Sequence, residues 1–247
     1  MSKQRLSKIK KIIQENGDVY TQNLAETLGV SVQTIRNDLM RLENSGEVRR
    51  FHGGAGRVSE IEDFDSRTIK NKDEKLKLAK YMANNIQDGE TIFFDGGTTM
   101  MYIIRNLPPT ININIVTASI AIANESTRLK NAEIYSLGGV VDKKSKEIYG
   151  PNALLEIQRL IFDKAIIGVT GISLNAALTE NNQLSLEIKK EVLKNSAETI
   201  VLADSSKFGA KGMYKAFDFT EIDEIITANH FYEEDDYAKN NINIRKI

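Results

Sequence analysis

The sequence predicts a two-part α/β chain: an N-terminal winged helix-turn-helix followed by a larger, mostly parallel-sheet α/β domain. Three observations carry this. Residues 1–56 read as helix, helix, helix, hairpin, with start or stop residues at the helix ends. From residue 73 short apolar runs alternate with helical stretches, the pattern of a parallel sheet covered by helices. Charge is also divided unevenly. Residues 1–58 hold ten basic and six acidic side chains, a net of +4, whereas residues 59–247 carry −5. A basic head on an acidic body suits a head that meets a polyanion and a body that does not.

In the head, Leu6, Ile9, Ile12 and Ile13 recur at helical spacing and Gly17 follows as a stop. Thr21 is the expected N-cap of a short helix that sets Leu24, Ala25 and Leu28 on one face and ends at Gly29. Val30 packs at the turn, and Ser31 caps a third helix with Ile35, Leu39 and Leu42 inward, ending near Gly46. Residues 48–51 alternate like a strand, and Gly53-Gly54 closes a turn.

Residues 58–72 are polar with little periodicity and are expected to form a linker. A helix then runs from Asp73 to about Gln87, with Asp88-Gly89 turning the chain. The expected strands are Thr91–Phe94, Ile113–Thr117, Glu133–Leu137, Lys164–Val169, Thr199–Ala203 and Glu224–Thr227. The body is read as 73–232, and 233–247 as an acidic, Asn-rich tail.

Composition removes several function classes. There is no cysteine, so disulfides and thiolate metal sites are out, and His52 and His230 are too few for a multi-histidine metal site or a histidine-based triad. No metal or cofactor is expected. No apolar run approaches a membrane span and no signal-peptide core is seen, so a cytoplasmic protein without membrane contact is expected.

The spacing of residues 21–44 is that of a helix-turn-helix, whose second helix enters the major groove. The outward residues at its start are Ser31, Gln33, Thr34, Arg36 and Asn37, donor and acceptor types that read base edges and phosphates. Arg41, one turn on, suits a phosphate, and Arg49, Arg50 and His52 fall on the wing. Any small helical subdomain with a solvated basic face is the plainer alternative. The caps, turn glycine, wing and charge split agree against it.

In the body, Phe93-Phe94 runs into Asp95-Gly96-Gly97-Thr98-Thr99 and then a helix. Glycines allow close backbone approach, and free amides with two hydroxyls make an anion site suited to phosphate. Asp95 would repel a phosphate it faced, so it is expected to accept from sugar hydroxyls or to brace the loop. Further strand-end turns carry Thr117 and Ser119, Gly138 and Gly139, residues 168–171, and 204–209 with Lys207 as the natural cation. In open parallel sheets ligands bind outside the carboxyl ends of the strands.

Residues 24–56, including 30–39 and 50–55, resemble the N-terminal signature of the DeoR family of bacterial regulators. Residues 95–99, 138–139, 150–151, Glu187-Ile188-Lys189 and 204–209 resemble its C-terminal sensor domain, in order and spacing. The resemblance implies a body similar in fold to ribose-5-phosphate isomerase, a phosphorylated sugar effector (with Glu187 among its candidate contacts), homo-oligomers such as a dimer or tetramer, and a repressor of sugar-catabolism genes that leaves operator DNA when the effector binds. The chain departs from the family in having Asn37 where a second arginine is usual, Ala118 in place of an asparagine, and Thr227-Ala228-Asn229 in place of an aspartate after the last strand.

Two other functions fit parts of the sequence. A phosphosugar isomerase would use Asp95, Glu187 and Lys207 as acid, base and electrostatic groups, but it has no need of the basic head. A constitutive DNA-binding scaffold would use the body only to oligomerise, and has no need of the strand-end Gly, Thr and Asp cluster.

Overall fold

The computed structural model describes residues 2–16, 19–45, 47–51, 53–57, 63–231 and 234–247. The chain divides into two compact units, Met1–Glu60 and Ile61–Ile247.

The first unit contains α1 (Ser2–Asn16), β1 (Val19–Tyr20), α2 (Thr21–Leu28), α3 (Val32–Asn44), β2 (Val48–Phe51) and β3 (Gly54–Arg57). The strands form an antiparallel sheet in the order β1-β3-β2. Ile9, Ile13, Leu24, Ala25, Ile35, Leu39, Leu42, Val48 and Ala55 make its core. Thr21 does not cap α2: β1 runs straight into the helix, and the Thr21 amide donates to the Gly53 carbonyl at 2.8 Å. Gly29 ends α2 in the left-handed conformation, at φ 63°, which glycine adopts without steric cost. The buried Asp38 accepts from Arg5 at 2.5 Å, so one of the head's counted cations bolts α1 to α3. Gly17, Gly46 and His52 lie outside the described residues.

The second unit begins with α4 (Phe64–Ile69), a helix inside the stretch expected to be linker. It continues through α5 (Lys72–Ala83), β4 (Thr91–Phe94), α6 (Thr98–Asn106), β5 (Asn114–Thr117), α7 (Ile120–Ser126), β6 (Glu133–Ser136), β7 (Val140–Val141) and β8 (Ile148–Tyr149). Next come α8 (Pro151–Ile157), β9 (Phe162–Ile167), β10 (Gly171–Ser173), β11 (Ala177–Glu180), α9 (Gln183–Lys194), β12 (Ser196–Leu202), β13 (Tyr214–Phe217), β14 (Glu224–Thr227), α10 (Glu234–Lys239) and β15 (Ile244–Lys246).

Seven strands form one parallel sheet in the order β15-β14-β12-β9-β4-β5-β6. Its inner strands β4, β5, β9, β12 and β14 are buried on both faces over their apolar runs, while the edge strands β6 and β15 are largely exposed. Phe93, Ala165, Ile167 and Val201 pack into the core under α8 and α9, while Ile92, Phe94, Ile166 and Ile200 join the core under α5, α6 and α7. β10, β11 and β13 form a small antiparallel sheet, and β7 and β8 a hairpin. Residues 234–247, read as a tail, supply α10 and the edge strand β15, and Tyr237 is fully buried. The chain leaves β4 toward β5 on one side, while β9 pairs on the other. The carboxyl ends of β4 and β9 therefore flank a topological switch point, where open α/β sheets hold ligands.

Candidate nucleic-acid surface and ligand cleft

Helix α3 starts at a satisfied cap. The Ser31 hydroxyl accepts the Thr34 amide at 3.2 Å and lies 2.8 Å from the Thr34 hydroxyl. Gln33, Arg36, Asn37 and Arg41 are exposed, and the Gln33 side-chain amide donates to Asn37 at 3.4 Å. Met40, a residue the sequence reading passed over, is 46% exposed in the same helix. Gln33, Arg36, Asn37 and Met40 follow helical spacing and share one face. Arg49 and Arg50 lie on β2, paired with Gly56 and Ala55 of β3.

In the second unit, the turn after β4 is held from beneath by a buried charge cluster. Asp95 accepts the Gly168 amide at 2.9 Å, joining the ends of β4 and β9. It also pairs with the Lys189 ammonium at 3.0 Å. The same ammonium donates to Glu180 at 2.5 Å and to the Gly168 carbonyl at 2.8 Å. Asp95 thus braces the loop. Desolvation alone would push the Lys189 ammonium down, but Asp95, Glu180 and Glu147 outweigh it and hold the lysine above its usual range.

Glu147, in the turn between β7 and β8, is the third acid. Tyr149 donates to its carboxylate. Burial, reinforced by Asp95, pushes Glu147 up to about 7, against the opposing pull of Lys189, the Tyr149 hydrogen bond and Arg67. A side chain at Gly96 would collide with the Glu147 carboxylate, so glycine is required there for this approach.

Above the turn, cations gather at the start of α6. Gly97 is its N-cap residue, and Thr98 and Thr99 open it, both buried. The Thr98 hydroxyl donates weakly to the Arg67 carbonyl at 3.5 Å, and the Lys75 ammonium donates to the same carbonyl at 2.6 Å. Burial lowers Lys75 to about 8; Asp204 opposes this, and the nearby cations Lys207, Arg67 and Lys70 add to it. Two guanidinium nitrogens of Arg67, Nε and Nη2, are buried with no hydrogen-bond partner. The 204–207 turn is tied to this group: Glu74 accepts the Ser205 amide at 2.7 Å and its hydroxyl at 2.9 Å, and Asn71 donates to Asp204 at 2.8 Å. A helix start that offers free amides, flanked by Lys70, Lys75, Lys207 and an Arg67 whose Nε and Nη2 lack hydrogen-bond partners, suits a dianion.

The structure therefore brings together Asp95, Gly96, Gly97, Thr98, Thr99 and Lys207. Thr117 and Ser119 are fully buried and serve the backbone: Thr117 accepts the Ser119 amide at 3.1 Å, and Ser119 caps α7 and donates to the Lys146 carbonyl at 3.3 Å. Gly138 donates to Glu156 at 3.2 Å, and Gly139, at φ 153°, sits where a side chain would strike the Tyr149 carbonyl. Glu187 is exposed on α9 and is not among these groups. The buried face of α9 carries Ser185, Leu186, Ile188, Lys189 and Val192, and the spacing of Ser185, Ile188, Lys189 and Val192 was the signal that could have selected Lys189 instead. Lys75 stands in the same kind of stripe, with Leu78, Ala79 and Met82 of α5, whereas Arg67, Glu147 and Glu180 carried no such pattern.

The family described as the DeoR-like helix-turn-helix domain matches residues 5–60, and the DeoR C terminal sensor domain matches residues 70–229. The chain is 30% identical over 236 residues to the HTH-type transcriptional regulator IolR of Bacillus subtilis, covering 95% of this chain and 94% of the relative. It is 30% identical over 226 residues to the glycerol-3-phosphate regulon repressor of Escherichia coli, covering 91% and 90%. Among solved structures, a ribose 5-phosphate isomerase A from Methanocaldococcus jannaschii is similar with a TM-score of 0.42 and 20% identity, covering 56% of this chain and 55% of the other. The full-length sorbitol operon regulator SorC from Klebsiella pneumoniae is similar with a TM-score of 0.37 and 13% identity, covering 82% and 88%.

Proposed function

This chain belongs to the DeoR family of transcriptional regulators, and from that premise we propose that it represses genes of sugar or polyol use and leaves their operator when a phosphorylated sugar enters the cleft. The observation that supports this best is the convergence of Thr98, Lys75, Lys207 and Arg67, whose Nε and Nη2 have no hydrogen-bond partner, near the start of α6. A phosphate monoester supplies the charge and the acceptor oxygens that such a site takes. The relative named for the glycerol-3-phosphate regulon agrees with that ligand class.

In this reading α3 lies in the major groove, with Gln33, Arg36 and Asn37 toward base edges, Met40 toward a thymine methyl, and Arg41 and the wing arginines Arg49 and Arg50 toward phosphates. One head has too few contacts for tight specific binding, so two or more act together in a homo-oligomer joined by the body. The effector weakens DNA binding only by its differential affinity for the two states.

The test is DNA-binding anisotropy on the gene's own upstream region, titrated with glycerol 3-phosphate, ribose 5-phosphate, fructose 1-phosphate and the unphosphorylated parents. Release by one ester and not by its parent is the expected result. DNA binding that no ester reverses would overturn the effector assignment, and absence of specific binding would overturn the operator assignment.

A further inference from the structure

Glu147 and a ligand seated on the Asp95–Thr99 turn need the same space. The Glu147 carboxylate lies so close over Gly96 that a side chain there would meet its Cγ, Cδ and Oε1. The groups facing it are Asp95 after β4, Lys189 on α9, Tyr149 on β8 and Arg67 on α4. Two of these, Asp95 and Arg67, frame the cleft.

The turn that carries Glu147 is a stiff body. Asp142 accepts the amides of Lys144 at 2.8 Å and Ser145 at 2.9 Å, and the Asp142 amide donates to the Glu147 carbonyl at 2.8 Å. This body is fastened to the start of α4. The Phe64 amide donates to the Lys144 carbonyl at 2.9 Å, and Lys146 pairs with Asp65 at 2.6 Å while its ammonium lies 5.1 Å from the centre of the Phe64 ring. α4 is the first described element after β3, so the chain itself runs from this contact back to the wing.

We propose that Glu147 reports cleft occupancy to α4: a ligand on the turn displaces its carboxylate, moves the 142–147 turn, and frees the start of α4 from it. This rests on the sugar-phosphate reading above. Glu147 touches no operator DNA in this account and is a positioning residue.

The experiment is hydrogen exchange on the full chain, wild type and Glu147→Ala, with and without glycerol 3-phosphate, ribose 5-phosphate or inorganic phosphate; thermal shift first establishes which probe binds. With a binding probe, the Phe64 amide and those of 142–147 should exchange at least tenfold faster in the wild type, while those of 96–99 slow. In Glu147→Ala the Phe64 amide should exchange fast without any probe, and the probe should bind at least as tightly as to the wild type. Glu147→Gln, which keeps the side chain's size, should retain Phe64 protection until the probe is added, which separates displacement from misfolding. An unchanged Phe64 amide with a bound probe, or loss of probe binding in Glu147→Ala, would overturn the proposal while leaving the sugar-phosphate reading intact. If neither ester nor phosphate binds the wild type, both fall together.

Discussion

Lys189 on α9 and Asp95 after β4 form a buried ion pair at 3.0 Å, and the same ammonium holds Glu180 at 2.5 Å. One cation thus serves three acids, since Glu147 also faces it. A buried pair adds little net stability when compared with an apolar replacement of both partners, but removing one partner strands the other. Lys189→Met should therefore lower unfolding stability by about 3–5 kcal/mol in urea denaturation. A loss below about 1 kcal/mol would mean that the carboxylates are rehydrated or protonated without it.

Glu147 makes stability depend on pH in a stated direction. Its folded-state value, about 7, lies above its ordinary 4.5. The protonated form is favoured by folding, so its contribution is fully present below about 4.5 and is lost as pH rises through 7. Glu147→Gln cannot ionise. The wild type should therefore lose stability relative to that variant between pH 4.5 and 7, by roughly 3 kcal/mol. Parallel curves for the two proteins across that window would show that Glu147 stays ionised.

Arg67 carries two buried, unpaired nitrogens beside the start of α6. If they take phosphate oxygens, Arg67→Ala should weaken sugar-phosphate binding by roughly 1.5–3 kcal/mol, the range for hydrogen bonds to charged groups. Thr98→Val should leave DNA binding intact and abolish induction. Calorimetry with the ester and with its unphosphorylated parent checks this, because only the ester's affinity should fall.

The sequence made the fold legible where burial imposes a period. β4 and β14 end where their apolar runs end, and the helix-turn-helix followed from the Ser31 cap and the turn glycine at Gly29, although Thr21 does not cap α2. It made the cleft legible only in its backbone part, because Gly96 and Gly97 mark a turn by themselves. Arg67 and Glu147 lie in a six-residue helix and a hairpin turn, where no repeat separates inward from outward residues. Glu187 entered as an effector contact only through the resemblance of the segment Glu187-Ile188-Lys189, whereas the period of α9 favours Lys189. The end of the chain misled for another reason. Asp, Glu and Asn dominate its composition, while Tyr237, with Ile242 and Ile244 packed against the same cluster, fixes it to the core.

Arg36 is exposed on the face of α3 that carries Gln33 and Asn37. Arg36→Ala should cost about 1–3 kcal/mol of specific DNA binding if the guanidinium reads a base. The discriminating measurement is affinity for operator and for random DNA at one salt concentration, with the salt slope of each. Equal losses on both, with a slope reduced by about one, would reassign Arg36 to a phosphate.

Tyr237 links the end of the chain to the cleft. Its ring packs edge-on against Phe208 at 5.7 Å, Phe231 at 5.7 Å and Phe219 at 6.1 Å, and Phe208 stacks on Phe231 at 3.8 Å. Phe208 directly follows Lys207, so this aromatic cluster anchors the turn that carries the cation. Tyr237→Ala removes a fully buried ring and should cost about 3–5 kcal/mol of stability. With Phe208 loosened, Lys207 loses its fixed position, and sugar-phosphate affinity should fall along with stability. Tyr237→Phe keeps the ring and should hold affinity near the wild-type level. Thermal unfolding and ester titration of both variants check the link. If Tyr237→Ala were destabilised but bound the ester normally, the cluster would support the sheet edge at β15 alone and Lys207 would be positioned by Glu74 and Asn71.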